Sequence, residues 1–140
     1  MQMRRISDMV RNKNPVMLPK TATVEHACQC MRDRRVGAVM VTDKQGRLVG
    51  LFTGRDAVER VLAEGLDAAT ARLADVMTPD PAALAPEQTA IEALRLMQDG
   101  GFRHVPVVDS GRVVSILSRG DFRGIEQARL DEETGLWERI

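Results

Sequence analysis

Residues 102–121 read FRHVPVVDSGRVVSILSRGD. A valine-rich run at 105–108 leads into Asp-Ser-Gly, a turn signal, and a second apolar run follows at 112–117. The stretch closes on a hydroxyl, two loop-forming residues and an aspartate, Ser118 to Asp121. It reads as two antiparallel strands that deliver a short hydroxyl-to-carboxylate unit. Residues 36–56 read VGAVMVTDKQGRLVGLFTGRD. Strands at 38–41 and 47–52 flank the turn DKQG, and the stretch ends on Thr53 to Asp56. The same unit is built twice.

Working outward, the repeat covers most of the chain, and such self-similarity governs the fold. ISDMV at 6–10 lies over LADVM at 73–77. VMLPKTATVEHACQCM lies over AALAPEQTAIEALRLM, with Pro19 meeting Pro86. One-residue length differences are expected in segments 20–23 and 43–46, where turns tolerate insertion. Each half opens with a short extended piece, 16–18 or 82–84. A helix follows, with Val24, Ala27, Cys28 and Met31 on one face in the first half and Ala90, Ala93, Leu94 and Met97 in the second. Thr89 with Glu92 forms a capping box, and Thr23 caps the first helix alone. After the strand pair a last helix is expected at or just beyond each aspartate. Its apolar stripe is Val58, Val61 and Leu62, or Phe122 and Ile125.

The fold class predicted is α+β, as two pseudo-symmetric β-α-β-β-α repeats packed sheet to sheet. A sheet with two helices in about 55 residues cannot bury itself; two such units can, and they leave two equivalent clefts. Residues 1–64 form the first repeat, 65–77 a helical linker and the start of the second, and 78–125 the second repeat. Residues 126–140 form a charged tail, in which Leu136, Trp137 and Ile140 are spaced like a docking helix.

Composition excludes several classes. Twenty basic and twenty acidic residues cancel among 140, which argues against a coat for nucleic acid. No apolar run approaches the roughly 20 residues of a membrane span, and MQMRRISDMV has no apolar signal core. A cytoplasmic location is expected. Cys28 and Cys30 would close almost no loop as a disulfide, and a reduced compartment is the simpler reading. His26 and Cys30 share a helix face, but only His104 remains as a further histidine, so no metal site is expected.

The order of elements, the paired halves and GLFTGRD/SILSRGD resemble a tandem pair of CBS (cystathionine β-synthase) domains, a Bateman module. The resemblance runs over roughly residues 6–125. It implies a pair that binds AMP, ADP, ATP or S-adenosylmethionine between its halves, regulates another protein, and dimerises into a flat disc.

A nucleotide's ribose offers a diol that a carboxylate grips through charge-assisted hydrogen bonds, while its phosphate needs donors and positive charge. Asp56 and Asp121 are therefore assigned to the sugar. Thr53, Arg55, Ser118 and Arg119 are assigned to the phosphate, with Arg103 and His104 adding charge at the Asp121 cleft. By position in the family, the Asp121 cleft borrows Thr23 and Ala27, and the Asp56 cleft borrows Thr89 and Ala93. Leu51 and Ile116 are candidates for the adenine. The same aspartates also suit a second role as helix caps.

The leading function is thus a non-catalytic adenosyl-ligand sensor that signals to an unidentified partner protein as a homodimer. Tighter binding is expected at Asp121. The alternative is a ligand-free adaptor acting by protein contact. No nucleophile-base pair supports an enzyme, and few aromatics support single-stranded nucleic acid binding.

Overall fold

The structure, a computed structural model, describes residues 4–11 and 13–122. In chain order the elements are α1 (Ile6–Met9), β1 (Met17–Leu18), α2 (Val24–Arg34), β2 (Ala38–Thr42), β3 (Leu48–Thr53) and α3 (Gly54–Asp56), which widens into π-helical turns at Ala57–Leu62. There follow α4 (Leu73–Val76), β4 (Thr78–Pro79), α5 (Ala90–Gly100), β5 (His104–Asp109), β6 (Arg112–Ser118) and a 3₁₀ turn at Arg119–Asp121. Ile125 and the tail at 126–140 lie outside the described residues.

Both hairpins form where the turn residues call for them. Ser110 and Gly111 have φ of 54° and 83°, the paired positive dihedrals of a two-residue hairpin turn whose twist suits the strands. In the first half Asp43 accepts the N–H groups of Gln45 and Arg47, both at 2.9 Å. That side chain carries the longer turn. The caps also form. Thr23 accepts the His26 N–H, and Thr89 and Glu92 make their reciprocal pair.

The first sheet runs β1-β2-β3-β4 and the second pairs β5 with β6. Leu84 makes a parallel bridge to Val107, as Leu18 does to Val41, so each half carries the same parallel edge. β2 is buried on both faces. Val39, Val41 and Phe52 meet Val24, Ala27 and Val61 in one core. Ala38, Met40 and Leu51 form a seam with the partly buried Val113 and Ile116 of the second sheet. That seam is the sheet-to-sheet packing.

The halves exchange their opening turns. Ile6 of α1 is buried in the second core, beside Leu84, Met97 and Leu117. Leu73 and Val76 of α4 are buried in the first. Matching hydrogen bonds fasten each exchange. Ile6 and Ser7 N–H donate to the carbonyls of Gln88 and Pro86, while Leu73 and Ala74 N–H donate to those of Ala22 and Lys20. Lys20 therefore occupies the place of Pro86, and Pro19 that of Ala85. The first length difference falls ahead of β1, not in 20–23. The expected helical linker at 65–77 is mostly turn, and helix is confined to α4.

The last helix of the first half begins at Gly54, before its aspartate, and buries only Val61 of the expected stripe. Val58 is 56% exposed and Leu62 70%. The cause is the hydrogen-bond ladder. Ala63 donates to Val58, five residues back, a wider turn that adds a residue and rotates Val58 and Leu62 off the core side. Phe122 packs against the second core, with extended backbone, and the helix expected after Asp121 lies outside the described residues.

Candidate functional site

The ends of β3 and β6 each deliver the hydroxyl-to-carboxylate unit to a cleft between the halves. In the first unit the Asp56 N–H donates to Thr53 Oγ1 at 3.1 Å, and the Thr53 N–H donates to Asp56 Oδ2 at 3.0 Å. Asp56 is thus the third helical residue of a capping box, with Thr53 as the cap. Among the described residues its Oδ1 has only Arg60 Nε, at 3.7 Å. Thr53 uses its oxygen as an acceptor, and its O–H has no acceptor among the described residues.

The second unit is a capping box as well, but it carries further bonds. Asp121 Oδ2 accepts the Ser118 N–H at 2.8 Å and the Ser118 O–H at 3.1 Å. It also pairs with the Lys13 ammonium, which donates again to the Ile116 carbonyl at 3.0 Å. The hydroxyl proton of Ser118 is therefore spent inside the protein, and that of Thr53 is free.

The Asp56 cleft encloses about 600 Å³. Leu51, Thr53, Arg55 and Asp56 line it from the first half. Thr78, Asp80, Phe102, Arg103 and His104 line it from the second. The Asp121 cleft encloses about 240 Å³, between Lys13, Asn14, Arg35 and Gly37 on one side and His104, Ile116 and Ser118 on the other. Pockets for drug-sized ligands run roughly 300–1,000 Å³; of these two clefts, as the described residues line them, the first falls in that range.

Six of the residues expected from sequence meet at the Asp56 cleft: Leu51, Thr53, Arg55, Asp56, Arg103 and His104. Ile116, Ser118 and His104 meet at the other, beside Asp121. Arg103 therefore serves the opposite cleft from the one expected, and His104 stands between both. The positive charge expected at Asp121 from Arg103 comes instead from Lys13 and Arg35. The four borrowed positions lie elsewhere. Ala27 and Ala93 are fully buried in their cores. Thr23 and Thr89 cap α2 and α5 and bridge Arg72 and Arg5 of the exchanged turns. The capping geometry that helps hold each helix start turns those hydroxyls toward backbone. Arg119 is exposed, with its N–H bonded to the Arg103 carbonyl.

Sequence reasoning missed Lys13, Phe102 and Asp80. Lys13 and Asp80 belong to lead-in segments next to a strand of the other half, and Phe102 to the turn between α5 and β5. β4, just before Asp80, pairs with Gly50 and Leu51 of β3. The repeat itself carried that signal, because Asn14-Pro15 and Asp80-Pro81 stand at matching places ahead of the two extended pieces.

Two glycines shape the clefts. A Cβ on Gly37 would lie 2.9 Å from His104 Nε2, and one on Gly100 would lie 2.2 Å from the Phe102 ring. Those absent methyls let both rings lean in. The His104 imidazole sits below its ordinary range. Burial is the main cause, the Lys13 charge adds to it, and Asp121 partly offsets it. At neutral pH it is uncharged. Among the described residues no group of three or more metal-ligating side chains converges. His26 Nε2 and Cys30 Sγ lie 3.9 Å apart on α2. No described helix is long and apolar enough to cross a membrane.

The sequence model of the CBS domain matches residues 6–63 and 73–126. An Arabidopsis thaliana CBS domain-containing protein, CBSCBSPB1, is 37% identical over 108 residues, covering 77% of this chain and 20% of the relative. The chain spans about a fifth of the length of that relative and of two more from the same plant. An uncharacterised 17.7 kDa protein of Acidianus ambivalens is 30% identical, over 93% of this chain and 76% of its own. Among solved structures, a CBS domain protein from Pyrobaculum aerophilum complexed with AMP is 27% identical with a TM-score of 0.82, covering 91% of this chain and 98% of that one.

Proposed function

The chain belongs to the CBS-domain family, with two CBS domains in tandem, and from that premise we propose that it is a non-catalytic regulatory module sensing an adenine nucleotide or adenosyl ligand in the Asp56 cleft. One observation carries the reading: a 600 Å³ cleft between the halves that joins an available carboxylate oxygen, a free hydroxyl and an arginine. Asp56 Oδ1 suits the ribose diol. Thr53 O–H and Arg103 suit a phosphate. Phe102, 40% exposed, and Leu51 offer apolar surface to a base. AMP in the related Pyrobaculum protein supports the ligand class; ADP, ATP and S-adenosylmethionine are the other candidates. Arg55 is already paired with Glu59 at 2.9 Å, and Asp80 also lines the cleft, so a ligand of low charge fits better than a triphosphate.

Occupancy would be read by a partner protein. Val58, Leu62 and Leu66 leave apolar surface beside α3, which supports a homodimer as the working form. The same surface, with both aspartates engaged as caps, supports the second reading of a ligand-free adaptor. A thermal-shift series with adenine and guanine nucleotides, S-adenosylmethionine and NAD separates the two. Ligand at about 100 times its dissociation constant adds about 2.7 kcal/mol of stability. A flat response to the whole series would leave the adaptor reading standing.

A further inference from the structure

The second cleft contains its own cation. Lys13 reaches from the lead-in of the first half across to β6, where its ammonium meets the Asp121 carboxylate and the Ile116 carbonyl together. Those are the two places a nucleoside would need there: the carboxylate for its diol and the strand surface at Ile116 for its base. Asp121 Oδ2 already accepts from the Ser118 backbone and hydroxyl, and with Lys13 it holds three donors. All three donors sit on Oδ2, so a diol that grips both carboxylate oxygens would have to displace a charge-assisted bond at one of them. In the other cleft Asp56 Oδ2 accepts only the Thr53 N–H among the described residues, and Arg60 Nε pairs with Oδ1 at the longer distance of 3.7 Å. Counting back from Leu18 and Leu84, which hold the same register on β2 and β5, Lys13 falls at Pro79, a residue of β4.

We propose that Lys13 is a built-in counter-ion that keeps the Asp121 cleft from taking nucleotide, so that each chain carries a single adenine ligand, at Asp56. The inference rests on the nucleotide reading above. It also separates from the rival role in which Lys13 is the phosphate's partner in the second cleft.

Titration calorimetry of the full chain with AMP tests it. Wild type binds one AMP per chain, and Asp56→Ala removes that event. Lys13→Ala binds two, the second event being lost again in Lys13→Ala with Asp121→Asn, while Lys13→Arg stays at one. Thermal melts of each variant without AMP confirm that it folds. Two AMP per wild-type chain, or one in both wild type and Lys13→Ala, would overturn the proposal and leave the sensing reading intact. Weaker binding by Lys13→Ala would overturn it in favour of the phosphate role. No AMP binding by any variant overturns both.

Discussion

The two clefts descend from the same repeated unit, yet they differ in where their protons and charges go. At Thr53–Asp56 the hydroxyl accepts and the carboxylate keeps one oxygen nearly free. At Ser118–Asp121 the hydroxyl donates inward and a lysine closes on the carboxylate. Equal spacing in the chain thus produced one lightly engaged carboxylate and one that holds three donors on a single oxygen. The unit builds a helix start in both halves; what the other half presents to it decides whether anything is left for a ligand.

The largest test of that contrast is the pair Asp56→Ala and Asp121→Ala. Saturating AMP should raise the wild-type melting temperature by several degrees, equivalent to about 2.7 kcal/mol at 100 times the dissociation constant. Asp56→Ala should lose most of that rise and Asp121→Ala little of it, the reverse of the expectation drawn from charge along the sequence. Both variants should also lose about 1 kcal/mol without ligand, because each removes the carboxylate that bonds the cap residue's N–H in its capping box. Equal loss of the ligand effect in the two would erase the comparison.

Next in size is Arg103→Ala. A hydrogen bond to a charged group contributes about 1.5–3 kcal/mol, so AMP should bind roughly tenfold or more weakly. Adenosine, which has no phosphate, should bind nearly as it does to wild type. An equal loss for both ligands would move Arg103 from the phosphate to the base. A smaller effect is expected at the wall the clefts share. Gly37→Ala places a methyl 2.9 Å from His104 Nε2. Overpacking typically costs about 1–3 kcal/mol, and this half-buried ring should fall at the low end. Urea unfolding reads the cost; an unchanged midpoint would mean that the ring swings away freely.

Much of this was legible in the sequence. Strand pairs follow from apolar runs around DKQG and DSG, and caps follow from Thr23 and Thr89 with Glu92. The two clefts follow from finding the unit twice. What stayed hidden depends on partners far apart in the chain. No local pattern says that α1 leaves its own half for the second core, or that Lys13 reaches Asp121. Val58 and Leu62 misled because the stripe assumes an ordinary helix, and the ladder from Val58 to Ala63 is wider. The borrowed alanines failed for a simpler reason. Small apolar residues on the inner face of α2 and α5 are where a core wants them, and Ala27 and Ala93 are fully buried there.

His104 supplies the finest reading of the difference, since it faces both clefts. Burial and the Lys13 charge hold its imidazole below the ordinary value of about 6.5. A group that protonates less readily when folded costs no stability at pH 7.5, where both states are neutral. As pH falls through about 6.5 the unfolded chain takes up the proton first, and stability declines until the folded ring titrates as well. Wild type should therefore lose stability between pH 7.5 and 5.5 relative to His104→Gln, by less than about 1.4 kcal/mol per pH unit. The slope should respond to the second cleft. Lys13→Ala removes a charge that lowers the ring's pKa and should flatten it, whereas Asp121→Asn removes one that raises the pKa and should steepen it. Titration of the His104 ring by NMR checks both directions without any nucleotide. If neither substitution moves it, the ammonium and the carboxylate are not where the closed cleft requires them to be.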